Sequence, residues 1–155
     1  MTAALLAGCA HSSSDTETYS CLSSKEPAGK TRTVTFLSDG TNVLEISQTV
    51  VFDTSSDPEY TVDSYIEEII RTAPFYNEPV KGITYEMNSV GTTVTVTMRA
   101  DFREAAKPVA EDLGIFDPAI IRGDDSGYVI RAEDLLNDLK KTEGMNASCE
   151  LIPEG

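Results

Sequence analysis

Histidine, cysteine and paired carboxylates carry most side-chain chemistry near neutral pH, so their placement decides which reactions are open to a chain. This sequence of 155 residues has one histidine, three cysteines and 26 acidic residues. The histidine, His11, stands among Ala10, Ser12 and Ser13 with no patterned scaffold around it. Neither a nucleophile–histidine triad nor a histidine-rich metal site can be assembled from it. No glycine-rich phosphate loop follows a strand-like run.

The acids offer two weak cation candidates. Asp53, Ser55, Asp57 and Glu59 alternate ahead of Asp63 in the rhythm of a calcium loop. Pro58, however, takes the place where that loop needs glycine, and Ser64 that of the bidentate glutamate. Asp124 and Asp125, between Gly123 and Gly127, form a second acidic turn. Asp57, Glu59, Asp124 and Asp125 are thus candidate cation ligands, with solvated turns the simpler account. Glycoside hydrolysis would need two carboxylates about 5–10 Å apart across a cleft, and no spacing here fixes such a pair. No resident metal or cofactor is expected.

The cysteines are more informative. Leu6-Ala7-Gly8-Cys9 follows the apolar run Ala3-Ala4-Leu5-Leu6-Ala7 and precedes the polar stretch 10–18. This is the pattern of a bacterial lipobox, in which Cys9 is acylated and becomes the first mature residue. On that reading residues 1–8 are a signal-peptide remnant without its basic leader, and 9–30 a lipidated cysteine and flexible tether. Two acyl chains anchor stably, since each buried methylene contributes about 0.8 kcal/mol. The competing reading is a cytosolic protein with a small-residue start. Cys21 and Cys149 then remain, either bridged or as two free thiols. A bridge would close nearly the whole chain, a constraint that chain entropy sets at about 4–5 kcal/mol.

Composition narrows the partners. Twelve basic against 26 acidic residues give a net charge of −14. Such a surface repels phosphate backbones, so nucleic acid is excluded as an expected partner. It also argues against lying flat on anionic headgroups.

The elements that must position these residues fall in one domain, 31–155. Thr31, Thr33 and Thr35 alternate with Val34 and Phe36; after Asp39-Gly40, Leu44, Ile46, Val50 and Phe52 resume the alternation. The pattern predicts a hairpin over about 31–38 and 43–53, one face apolar and the other wet, with Gln48 marking a bulge. Val62, Tyr65, Ile66, Ile69, Ile70 and Ala73 share one side of a helix capped by Thr61 and ended by Pro74. A second hairpin runs over 83–99, turning at Val90-Gly91. Asp101 and Glu104 resemble a capping box for a second helix, broken at Pro108 and closed by Gly114. A short helical turn after Asp117-Pro118, a helix over 132–142 and a strand over 147–152 complete the chain. The expected fold is α+β: a two-layer sandwich of about four or five antiparallel strands from two hairpins, with helices on one face in ββαββα order. Phe75 and Tyr76, bracketed by Pro74 and Pro79, are either a stiffened ligand-contact surface or a flap folded over the sheet.

Lys81-Gly82-Ile83-Thr84-Tyr85-Glu86-Met87 and the run Thr93-Val94-Thr95-Val96-Thr97-Met98-Arg99-Ala100-Asp101-Phe102, with the lipobox, resemble the YehR-like small lipoproteins of bacteria. The resemblance spans about 31–144 and implies an acylated N-terminal cysteine and a compact α+β domain. It implies no activity and transfers no catalytic residue. Pro74, Pro79, Cys21 and Cys149 depart from that pattern. The expected function is therefore a non-catalytic, membrane-anchored envelope lipoprotein facing the extracytoplasmic side, binding an envelope partner or extracellular ligand. A solute- or cation-binding accessory lipoprotein is the alternative, and a carboxylate-dependent envelope hydrolase a third.

Overall fold

The computed structural model describes residues 15–142 and 144–153. Cys9, His11 and the apolar run before them lie outside the described residues. The chain forms β1 (Glu17–Leu22), β2 (Lys30–Ser38), β3 (Val43–Asp53), α1 (Val62–Thr72), β4 (Ile83–Val90) and β5 (Thr93–Asp101). It continues through α2 (Lys107–Glu111), β6 (Ile121–Asp124), β7 (Gly127–Ile130), α3 (Ala132–Lys141) and β8 (Ser148–Ile152). Six strands make one open antiparallel sheet in the order β4-β5-β3-β2-β1-β8, and β6 and β7 form a separate hairpin.

Strand register explains which face is covered. Val34 opposes Gln48 and Cys21, Phe36 opposes Ile46 and Tyr19, and Ile46 opposes Ala100. Period-two geometry therefore puts all these side chains on one side. The other side carries Thr33, Thr35, Ser47, Thr49, Thr95 and Thr97, half-buried at most, with a Thr49–Thr97 hydroxyl contact of 3.0 Å. The expected wet face is thus the observed one.

Two apolar clusters sit on the covered side. The larger joins Val34, Phe36, Ile46, Met98 and Ala100 to Phe116, Ile130, Leu135 and Leu139. The smaller joins Phe52, Val94 and Val96 to Tyr65, with Val62, Ile66 and Ile69 packed against it. α1 covers the second cluster because its apolar positions recur at helical spacing, and its start is fixed by a reciprocal cap between Thr61 and Ser64. α3 covers the first; Glu133 and Asp134 at its start and Lys140 and Lys141 at its end oppose the helix dipole.

Four expectations are corrected. The sheet has six strands rather than four or five, because β1 and β8 extend it beyond the two hairpins. Residues 17–22 belong to the sheet, between β2 and β8, so the stretch read as tether is partly strand and order begins ahead of residue 31. No bulge occurs at Gln48; the register shift is at Leu37/Ser38. Asp101 ends β5 rather than capping a helix, and Pro108 helps to start α2, where its missing N–H costs nothing. Cys21 and Cys149 face each other across β1 and β8 and are bridged, S–S 2.06 Å and Cα–Cα 4.0 Å.

Candidate functional site

The inward row of a sheet covered by helices should be apolar throughout. Here β2 places Lys30 and Arg32 ahead of Val34 and Phe36, and β3 places Gln48 between Ile46 and Val50. Because Arg32 opposes Val50 and Val34 opposes Gln48, Arg32 and Gln48 are diagonal neighbours on the covered face. They lie where the two apolar clusters meet, and a cleft opens there beneath α1.

Two adjoining hollows there, both open to solvent, share Tyr65, Ile69 and Thr72 in their walls; the one over the Arg32–Gln48 pair is called the inner part and the other the mouth. The inner part, about 330 Å³, has Arg32 and Gln48 among walls that include Val96, Met98, Leu113 and Tyr85. The outer mouth, about 620 Å³, is lined by Lys30, Phe52, Asp57, Tyr60, Tyr65 and Glu68, among others. Both volumes lie in the range of small-molecule sites, about 300–1,000 Å³. Phe52, Tyr60 and Tyr65 pack against one another with ring centroids 4.7–5.7 Å apart.

Charge in the cleft is organised around Glu26. Its side chain is only 8 % exposed, with Arg32 Nε at 3.0 Å and Lys30 Nζ at 3.9 Å. The Arg32 Nε is shut off from solvent and out of line for a hydrogen bond to Glu26. Among the described residues neither the rest of the guanidinium nor the Gln48 amide has a hydrogen-bond partner. At the mouth, the Glu68 carboxylate beside its hydroxyl lifts the Tyr60 pKa above the ordinary tyrosine value, while burial does the same for Tyr65. Burial also pushes the Tyr85 pKa up to about 12, and its hydroxyl donates to Pro74 O at 2.8 Å.

The sequence candidates distribute unevenly. Phe75, in a left-handed conformation at φ 60°, packs against the larger cluster, and Tyr76 meets Tyr85 edge-on at 5.3 Å. Both are half-buried, and neither lines the cleft. Asp57 reaches the mouth, its Oδ1 accepting the Glu59 N–H at 3.0 Å, while Glu59 is exposed outside it. Asp124, on the β6–β7 turn, accepts from Ser126 N and Oγ, and Asp125 is exposed beside it. Among the described residues no group of three or more His, Cys, Asp and Glu converges as a metal site. Nor is any described helix long and apolar enough to cross a membrane. Reading the sequence missed Lys30, Arg32 and Tyr60 as site residues. The available signal was three polar side chains, Lys30, Arg32 and Gln48, in phase with the buried rows.

Comparison with known proteins places the fold but not the activity. No protein-family model matches the chain, and no curated protein matches it. Among solved structures, the NMR structure of E. coli YehR superposes at a TM-score of 0.58 with 13% identity, covering 78% of this chain and 83% of that one. The NMR structure of a protein from Streptococcus pneumoniae TIGR4 also gives 0.58, with 14% identity, covering 97% of this chain and 94% of that one. The fold is YehR-like.

Proposed function

We propose that this chain is a non-catalytic lipoprotein of the bacterial cell envelope, anchored through an acylated Cys9 on the extracytoplasmic side, that binds an envelope partner or extracellular ligand in the cleft under α1. The observation that carries the binding reading is the pair Arg32 and Gln48 set in a largely apolar sheet face and lining a cleft. Placing such groups inward sacrifices apolar burial, and a ligand that meets them recovers the loss. Anchoring rests on Leu6-Ala7-Gly8-Cys9 and the apolar run before it.

The test uses the full chain in a bacterial host fed radiolabelled palmitate, with a photo-crosslinking residue at Ile69 or at the exposed Val129. Label entering the wild type but not Cys9→Ser, with a crosslinked product from position 69 alone, is the expected result. An unlabelled protein in the cytosol removes the anchor; equal or absent crosslinking at both positions removes the cleft.

One observation favours a second reading, a carboxylate-dependent envelope hydrolase: Asp57 and Glu68 line the same mouth. Turnover of a glycan panel that Glu68→Gln abolishes would establish it over the binding reading.

A further inference from the structure

Arg32 is an awkward residue to place beneath a helix. Its side chain is 29 % exposed, yet its Nε is removed from water without a well-aligned acceptor, and an enclosed donor left unmet is costly. Valine or leucine at this position would continue the row set by Val34 and Phe36. Glu26, almost wholly enclosed, lies on the Nε side and restrains the guanidinium while leaving other N–H groups of the fork without a protein acceptor. Gln48 adds an unpartnered amide one diagonal step away. Ile69, Val96 and Met98 supply apolar wall beside this pair, with Thr72 and Tyr85 also in the lining.

This arrangement selects a ligand chemistry. A planar fork matches a carboxylate through two parallel hydrogen bonds, and the Gln48 amide can donate a third. Arg32 and Lys30 against Glu26 leave one net positive charge, which balances one carboxylate. A phosphate dianion would bring a second, uncompensated charge next to Glu26 in a protein of net charge −14. Resting on the cleft's being the binding site, we propose that its inner part takes an amphiphilic monocarboxylate, the carboxylate on Arg32 and Gln48 and the apolar body against Ile69, Val96 and Met98. Either a fatty carboxylate or the free C-terminus of an apolar peptide supplies this chemistry.

The experiment is a calorimetric and amide-resonance titration of the full chain with decanoate, decanol, N-acetyl-Leu-Leu acid and inorganic phosphate. Decanoate or the dipeptide acid should bind one to one and move the Ile69 and Val96 resonances, and whichever binds tighter identifies the source. Decanol and phosphate should bind at least tenfold more weakly. Arg32→Met should weaken the carboxylate at least tenfold and leave decanol unchanged; Gln48→Leu, which breaks no ion pair, is the second variant and should weaken it severalfold. Equal binding of decanoate and decanol in the cleft would overturn the carboxylate while leaving the cleft as a site. Tightest binding by phosphate, retention of affinity in both variants, or no response to either carboxylate would also overturn the proposal. The crosslinking at position 69 judges the cleft itself independently.

Discussion

Breaking the Cys21–Cys149 bridge should be the largest single perturbation that leaves the native packing nearly unchanged. The two residues are 128 apart in sequence, so the bridge closes almost the whole domain into one loop. Restricting the unfolded chain in this way is worth about 5 kcal/mol in the chain-entropy model, an upper figure because a real unfolded state keeps residual structure. In the folded state β8 does not depend on sulfur alone. It pairs with β1 from Leu22↔Ser148 to Thr18↔Ile152, and Ser24 N and Ser23 Oγ both donate to Met145 O nearby. The reduced protein should therefore keep its six-stranded sheet and lose stability through the unfolded side of the equilibrium. At about 2–4 °C per kcal/mol for this size, reduction or the double variant Cys21→Ala/Cys149→Ala should lower Tm by about 10–20 °C. The urea m-value should rise, because an unlinked unfolded chain exposes more surface. Scanning calorimetry and urea unfolding, with and without reductant, provide the assay. A Tm change below about 3 °C with an unchanged m-value would refute the reasoning.

Leu135, fully enclosed beneath the sheet, should lose about 2–5 kcal/mol on Leu135→Ala, read from the urea midpoint. Gly82→Ala should cost at least about 1 kcal/mol, because Gly82 sits at φ +89° and a Cβ there would come within 2.6 Å of the Ala105 nitrogen. Hydrogen bonding from Arg103 holds the Asp101 pKa below 3.8, so its contribution is present above that value and is lost as pH falls through the lower, folded one. Urea titrations at falling pH should accordingly show a shallower acid loss for Asp101→Asn than for the wild type. At the alkaline end, burial raises Tyr85 from 10.0 to about 12, so stability should decline as pH rises through that window. Tyr85→Phe should remove one late-ionising phenol from the absorbance titration.

The hairpins and α1 were legible because their signals are local. Ile46, Val50 and Phe52 keep the period of two on β3 despite Gln48, and Thr61 stands where a cap must stand. β1 was not legible. It offers only Tyr19 and Cys21 inward, and its place in the sheet comes from β2, β8 and a cysteine more than a hundred residues away. Asp101 and Glu104 imitate a helix start, yet the backbone there is held by Asp101 N donating to Gly82 O and Phe102 N donating to Leu44 O, contacts with no local trace. The cleft was half visible. Gln48 stands out in its row, but only the β2–β3 register brings Arg32 beside it, and only the arrival of α1 makes the pair a floor.

β1, through its direction, bears on the anchor proposed at Cys9. It starts opposite Ser38, at the end of the sheet carrying Glu45 and Asp101, whereas the wide mouth lies by Lys30 and Phe52 at the other end. From Cys9 to Glu17 the chain can span at most about 29 Å when drawn out straight. A lipid on Cys9 would thus draw the Ser38 end toward the bilayer and the Tyr60 mouth away from it, with a strand paired on both sides rather than a loose end taking the load.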